Sequence, residues 1–290
     1  ADRLDEIFRN ERAQLEEKWD NLKLFIEYGM LSDEKFCDRA MKFALLKNTE
    51  DKYFSIEDYR KAIEGEQTDK DKKVVFLYAT DKEAQYSFIE AAKSKGYDVL
   101  LMDCQLDSHF VNLLETKVEN ARFARVDSDS VENLIPKAEK IRPELSETEQ
   151  EDLSVIFKSV LPKENEYYVE ADNLGENAAP ILITQSEFMR RYREMSAMGG
   201  GMNFYGEMPS MYNITVNMQN PLVARIMAAK SADVAPAQVI PDAASDASED
   251  VKRTVNEAKE TAAASHKADL EAFAADNEIL KQITDLALLA

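Results

Sequence analysis

Leu4, Ile7, Phe8, Leu15, Trp19, Leu22 and Phe25 recur at helical spacing with charged residues between them, which predicts an amphipathic helix over 2–28 that Gly29 stops. A second helix is expected in "SDEKFCDRAMKFALL" behind a Ser32 cap, and a third behind Ser55, where "SIED" has the form of a capping box. From residue 73 the pattern changes. "KVVFLYA" (73–79) is an unbroken β-branched and aromatic run, as a parallel strand covered on both faces requires. A helix through Lys95 closed by Gly96, a strand at 97–102, a helix at 107–115, a strand at 121–126 and a helix near 130–140 complete a three-stranded unit. Right-handed crossovers make its sheet parallel.

"IRPELSETEQ" marks a boundary, because Pro143 precedes a second capping box from Ser146 to Glu149. Beyond it the pattern predicts a helix to Leu161, strands at 166–172 and 180–185, a helix from Ser186 to Met198 and a strand at 212–218. Asn220 and Pro221 then open a further helix as N-cap and first helical residue. Residues 231–250 have the composition of a mobile linker. The stretch 251–289 reads as helix, with Leu270, Phe273, Leu280, Ile283, Leu286 and Leu289 in an apolar stripe that suits either a core helix or one packed on another subunit. The expected fold class is α/β plus α+β: a helical segment with a small three-stranded parallel α/β unit, then a mixed α+β domain ending in helices.

At 290 residues, 44% hydrophobic and 32% charged, the chain has the composition of a folded soluble protein, and its length favours two domains. A net charge of −20 argues against nucleic acid or an anionic membrane as partner, since both call for clustered Lys and Arg. Cys37 and Cys104 stand far apart, and His109 and His266 are the only histidines, so neither a disulfide framework nor a metal site is expected. No apolar run approaches the ~20 residues of a membrane span, and the opening "ADRLDEIFRNER" is too charged for a signal peptide. A cytoplasmic location follows if Ala1, which is not Met, stands near the natural start.

Catalytic signatures are sparse. The chain has no GxGxxG, P-loop, HExxH or GxSxG. A nucleotide at the carboxyl ends of the α/β strands is an alternative reading, but the loops there, "TDKEAQ" and "DCQLDSH", are acidic and glycine-free. Asp103, Cys104, Asp107 and His109 crowd one strand end, either as a Cys–His nucleophile pair or as a part-buried cysteine near a surface histidine. The strongest anomaly is "EMSAMGGGMNFYGEMPSM" (194–211), within a region from Met189 to Met227 that holds most of the chain's 11 methionines. Three readings compete. A core helix face would fit Met195, Met198 and Met202 but for the three glycines after Met198; thioether capture of Cu(I) lacks accompanying Cys or His. The third is a pliable apolar surface for protein partners, where each methionine buried on contact contributes roughly 1.5–3 kcal/mol.

Several blocks resemble, in chain order, the middle and C-terminal domains of the ninety-kilodalton heat-shock chaperone family: "FIEYGMLSDEKFCDRAMKFALLKNT", "YFSIEDYRKAI", "GYDVLLMDCQLDSHFVNLLE", "MRRYREMSAMGGGM", "ITVNMQNPLVARI" and "ITDLALLA". The resemblance implies the later part of the middle domain over 1–144 (helical to 70, α/β from 71) and most of the dimerisation domain over 145–290, with 231–250 as an insertion. It also implies an ATP-driven homodimeric chaperone whose ATP and magnesium site lies in a part this chain does not contain, so that the chain itself is expected to bind no cofactor and to have no catalytic activity.

By the same resemblance, non-native client proteins are the expected partners. They would meet Phe188, Met189, Tyr192 and Met195 on a helix and Met198, Met202, Phe204, Tyr205, Met208 and Met211 on its following loop. A second client patch would fall on "DSHFVNLL", with His109, Phe110 and Asn112. The family's dimer contact would use Leu270, Phe273, Leu280, Ile283, Leu286 and Leu289, weakened by the absence of a last bundle helix. The alternative from another class is a small α/β nucleotide-binding module or enzyme with an appended helical dimerisation domain.

Overall fold

The computed structural model describes residues 2–138, 142–186, 190–191 and 210–289. The chain divides into two units, one of residues 1–140 with 185–206 and one of residues 141–184 with 207–290.

The first unit opens with two helices rather than one, α1 (Asp2–Asn10) and α2 (Arg12–Ser32), broken at Glu11. Gly29 does not stop α2. It lies inside the helix because a Cβ there would stand 2.9 Å from the Phe36 ring of the next helix, so the glycine permits a close crossing. That helix, α3 (Glu34–Ala40), is capped by Asp33 in place of Ser32: the Phe36 N–H donates to the Asp33 carboxylate at 3.0 Å. A short antiparallel hairpin follows, β1 (Leu45–Lys47) with β2 (Tyr53–Ser55), then α4 (Ile56–Ile63), whose Ser55 hydroxyl accepts from the Asp58 N–H.

The α/β part runs β3 (Val74–Ala79), α5 (Tyr86–Ser94), β4 (Val99–Leu101), α6 (Asp107–Lys117), β5 (Ala121–Arg125) and the single turn α7 (Val131–Leu134). The sheet order is β4-β3-β5 and both pairings are parallel, as the crossovers predict. Every residue of β3 is buried, and the two-residue period of a strand explains why its run is unbroken. Val74, Phe76 and Tyr78 face a core that includes Trp19, Tyr59, Phe110 and Phe123; Val75, Leu77 and Ala79 face a second core with Ile89, Ala92 and Val126.

The second unit comprises α8 (Glu147–Ser159), β6 (Glu166–Asp172), β7 (Ile181–Thr184), β8 (Met211–Asn217), α9 (Pro221–Asp233), α10 (Glu249–Asp276) and α11 (Glu278–Leu289). Its sheet is mixed, in the order β6-β8-β7, with β6–β8 parallel and β7–β8 antiparallel. Ser146 and Glu149 form the expected reciprocal capping box on α8. Asn220 caps α9 with Pro221 as its first residue. The expected single C-terminal helix is instead two, because Asn277 leaves helical geometry and its side chain caps the next helix, accepting from the Leu280 N–H at 2.9 Å. The core gathers Leu153, Ile156 and Phe157 of α8, Ile214 and Val216 of β8, Val223 and Ile226 of α9, and Leu270, Leu280 and Ile283. Beneath it a buried ionic junction ties three helices: Asp152 of α8 accepts from the Lys230 ammonium of α9 and contacts His266 Nε2 of α10 at 2.8 Å.

Candidate functional site

Helix α6 carries one of the two surfaces anticipated for partner contact. Its N-terminal turn is pinned from within, since Asp107 Oδ2 accepts from the Cys104 N–H at 2.7 Å. Phe110 points inward and is 2% exposed, a core residue rather than a contact residue; the apolar side of an amphipathic helix had to be spent on the sheet. His109 and Asn112 are half-buried on the other side.

Arg190 and Arg191 belong to the first unit, although the sequence places their helix in the second domain. Arg191 Nη1 donates to Asn112 Oδ1 at 2.8 Å and to Glu115 Oε2 at 2.9 Å, and its Nη2 donates to the Phe123 carbonyl at 3.2 Å. Glu115 closes the ring by accepting from the Phe123 N–H at 2.8 Å. Arg190 is buried and donates to the Tyr78 hydroxyl at 2.6 Å. A forked guanidinium with several acceptors holds one geometry. Arg191, three residues before the methionine-rich stretch begins, is thereby tied to Asn112, 79 positions away in sequence. Phe188, Met189, Tyr192, Met195, Met198, Met202, Phe204, Tyr205 and Met208 lie outside the described residues. Met211, the first residue of β8, is 40% exposed.

Beneath the start of α6 lies a buried charge cluster that spacing did not reveal. Lys23 of α2 places its ammonium 2.9 Å from Asp107 Oδ2, 3.9 Å from Glu27 Oε1 and 3.5 Å from Asp103 Oδ1. Glu27 and Asp107 are 2% and 3% exposed. Burial, reinforced by the Asp107 charge, pushes the Glu27 carboxyl up to about 8, with Lys23 opposing. Burial raises Asp107 as well, against the pull of Lys23. Burial alone would lower Lys23, but the carboxylates outweigh it and hold its charge. Glu27 Oε2 and Asp107 Oδ1 have no partner while both groups are ionised, and their mutual contact becomes a hydrogen bond once one carboxyl keeps its proton. The buried part of the cluster, Lys23, Glu27 and Asp107, then holds one ammonium, one carboxylate and one carboxylic acid, with the exposed Asp103 carboxylate at its edge.

This arrangement favours the part-buried cysteine over the Cys104–His109 nucleophile pair. Cys104 faces Glu27 and Asp107, with ligand atoms of the three within 4.8 Å of one another. Burial pushes its thiol up, with the Glu27 and Asp107 charges adding to the rise. An activated nucleophile needs the opposite environment. The same three side chains have metal-ligand chemistry, but the Lys23 ammonium already supplies the cation. Nor does the α/β unit offer a phosphate cradle at the end of β3. There the Thr80 and Asp81 N–H groups donate to Gln85 Oε1 at 2.7 and 3.0 Å, and those of Glu83 and Ala84 donate to Asp81 Oδ1, each at 2.9 Å. Phosphate binding would need those amides free.

The C-terminal stripe divides. Leu270, Leu280 and Ile283 are buried within their own unit and Phe273 packs against that core. Leu286 and Leu289 are 67% and 85% exposed. Among the described residues no helix is long and apolar enough to cross a membrane.

Comparison with known proteins agrees with this architecture. The model of the Hsp90 protein family matches residues 2–245. The chaperone protein HtpG of Bacteroides fragilis is 44% identical over 318 aligned positions, which cover 100% of this chain and 46% of that protein. HtpG of Porphyromonas gingivalis is 44% identical over 314 positions and that of Bacteroides thetaiotaomicron 43% over 314, with the same shares covered. The chain thus spans about half the length of the relatives it matches, and over that span it belongs to the Hsp90 family.

Proposed function

We propose that the chain is the client-holding part of an ATP-driven molecular chaperone, in which α6 and the methionine-rich stretch each contact partly folded proteins. Membership of the Hsp90 family and similarity to HtpG chaperones support the chaperone reading. The observation that carries the α6 part of this reading is the Arg191 guanidinium, which holds the Asn112 and Glu115 side chains of α6 in one geometry. His109 and Asn112 supply polar contacts, and Met211 marks the far end of an apolar stretch from Met198. Methionine adapts to many partner shapes, which suits a holder of varied clients. The net charge of −20 keeps such a surface soluble.

ATP and magnesium act, in this proposal, in a part of the protein outside the chain. The blocked amides after β3 favour that placement over the alternative of a nucleotide-binding module. Homodimerisation would use the exposed Leu286 and Leu289 of α11, while Leu270, Leu280 and Ile283 hold that helix pair to its own unit. The test is binding of a reduced, thiol-blocked protein that cannot refold. Replacing Met198, Met202, Met208 and Met211 with serine, or Asn112 with alanine, should weaken binding severalfold without moving the melting temperature. Unchanged binding by both variants contradicts the proposal. Turnover of ATP by residues 1–290 would favour the enzyme reading.

A further inference from the structure

Strand β6 is an edge strand: among the described residues it pairs with β8 alone. Two bonds fix which way its backbone points. The Glu166 N–H donates to the Ser210 carbonyl, and the Asp172 carbonyl accepts from the Met218 N–H. By the two-residue period of a strand, Glu166, Tyr168, Glu170 and Asp172 turn their amides and carbonyls to β8, while Tyr167, Val169 and Ala171 turn theirs to the open edge. One outward group is taken, since Gln150 Nε2 of α8 donates to the Val169 carbonyl at 2.8 Å. The outward groups of Tyr167 and Ala171 have no backbone partner among the described residues. Such an edge is a template for another extended chain.

Ala171 also lines a groove of about 480 Å³ between β6 and the chain that enters α8. Pro143 and Leu145 give the groove apolar surface, and Tyr168 of β6, 63% exposed, presents an aromatic ring to it. Glu147 and Glu151, four positions apart and so on one face of α8, supply carboxylates. Both are exposed, and neither has an ion-pair partner among the described residues; the capping of α8 falls to Ser146 and Glu149 instead. With Glu170 the groove holds three carboxylates against the Arg142 guanidinium. Arg142, Lys158 and Lys163 are the only basic residues from 142 to 184, where Asp and Glu number ten, so the surroundings do not reverse that sign. A second copy of this chain, with its own net charge of −20, would meet like charge here. A Lys or Arg side chain would meet two unpaired carboxylates and the face of Tyr168.

We propose that the open edge of β6 and the groove beside it dock an extended, lysine- or arginine-bearing segment of another protein, which pairs with the outward groups of Ala171 and lays its cations against Glu147 and Glu151. This surface belongs to the second unit and goes beyond the client contacts proposed for α6 and the methionine-rich stretch.

The experiment uses the whole chain and two labelled twelve-residue peptides, one alternating Val with Lys and the other Val with Glu. The basic peptide should bind, the acidic one at least tenfold more weakly. Glu147→Gln with Glu151→Gln should weaken the basic peptide tenfold or more and leave melting unchanged, because both side chains are exposed. Hydrogen exchange at the Ala171 amide should slow at least tenfold in the complex, and Asn112→Ala should leave the peptide's affinity unaltered. Equal binding of both peptides, no loss in the double variant, or exchange at Ala171 that the peptide does not slow overturns the proposal. Displacement of the peptide by an equal concentration of spermidine overturns it as well, since the groove would then take any polycation. So does self-association that the double variant abolishes, since the occupant would then be a second copy.

Discussion

Glu27→Gln tests the buried cluster in a way that no surface feature can imitate. The change keeps the shape of the side chain, leaves it able to donate to Asp107 and removes its proton equilibrium. In the native chain the Glu27 carboxyl is raised from its ordinary 4.5 to about 8, so over that interval the folded state holds a proton that the unfolded chain has released. A folded value above the unfolded one gives a stability contribution that is complete below the unfolded value and disappears as pH rises through the folded one. At 1.36 kcal/mol per unit the ceiling is on the order of 5 kcal/mol across the interval. Water entry and side-chain relaxation after ionisation reduce the observable part to about 2–3 kcal/mol. Trp19, the chain's single tryptophan, is 2% exposed in the same core and reports unfolding directly. Urea titrations at pH 5.5, 7 and 8.5 should show the native chain losing stability relative to Glu27→Gln as pH rises, with the variant the more stable at pH 8.5. Parallel pH profiles for the two proteins would refute the shared proton.

Three further outcomes follow from the second unit. Asp152→Ala strips the partner from a Lys230 ammonium that is mostly buried and should cost about 3 kcal/mol in urea unfolding; a loss under about 1 kcal/mol would show that solvent reaches the junction freely. Ser146→Ala removes half of a reciprocal capping box and should cost about 1 kcal/mol, read as a shift in the urea midpoint at constant slope. Leu286→Ser with Leu289→Ser, at positions 67% and 85% exposed, should leave melting unchanged and lower any self-association seen in a sedimentation concentration series; unaltered association would remove these leucines from the dimer contact.

The sequence disclosed whatever depends on local period. β3 was legible because both its faces are covered, so its run has no polar member, and the parallel sheet followed from the crossovers. Phe25 was misplaced because the buried face of α2 runs through Leu15, Trp19, Ile26 and Met30, and Phe25, one position before Ile26, is turned about 100° off it into solvent. Gly29 looked like a stop because close approach to Phe36 is a tertiary fact. The β1–β2 hairpin, three residues a side, was too short to establish a period. At the candidate site, Asn112 and His109 came from resemblance, while Arg191, which donates to Asn112, did not. Its bonds to Asn112 and Glu115 span 79 and 76 positions, and no spacing rule connects such residues. Glu27 was hidden for a related reason: a lone carboxylate beside Ile26 on an apolar helix face gives no hint of the Asp107 that raises its pKa or of the Lys23 that opposes the rise.

The proposed client contact can be tested through the methionine methyl groups themselves. In a spectrum of the isotope-labelled chain titrated with a reduced, thiol-blocked protein, Met30 and Met102, each 2% exposed in the core, serve as internal controls. The account predicts that the Met198, Met202, Met208 and Met211 signals shift or broaden in step with binding while those two stay fixed, and that Arg191→Ala diminishes the response. Binding that leaves all four signals in place, or that moves Met30 and Met102 equally, would contradict it.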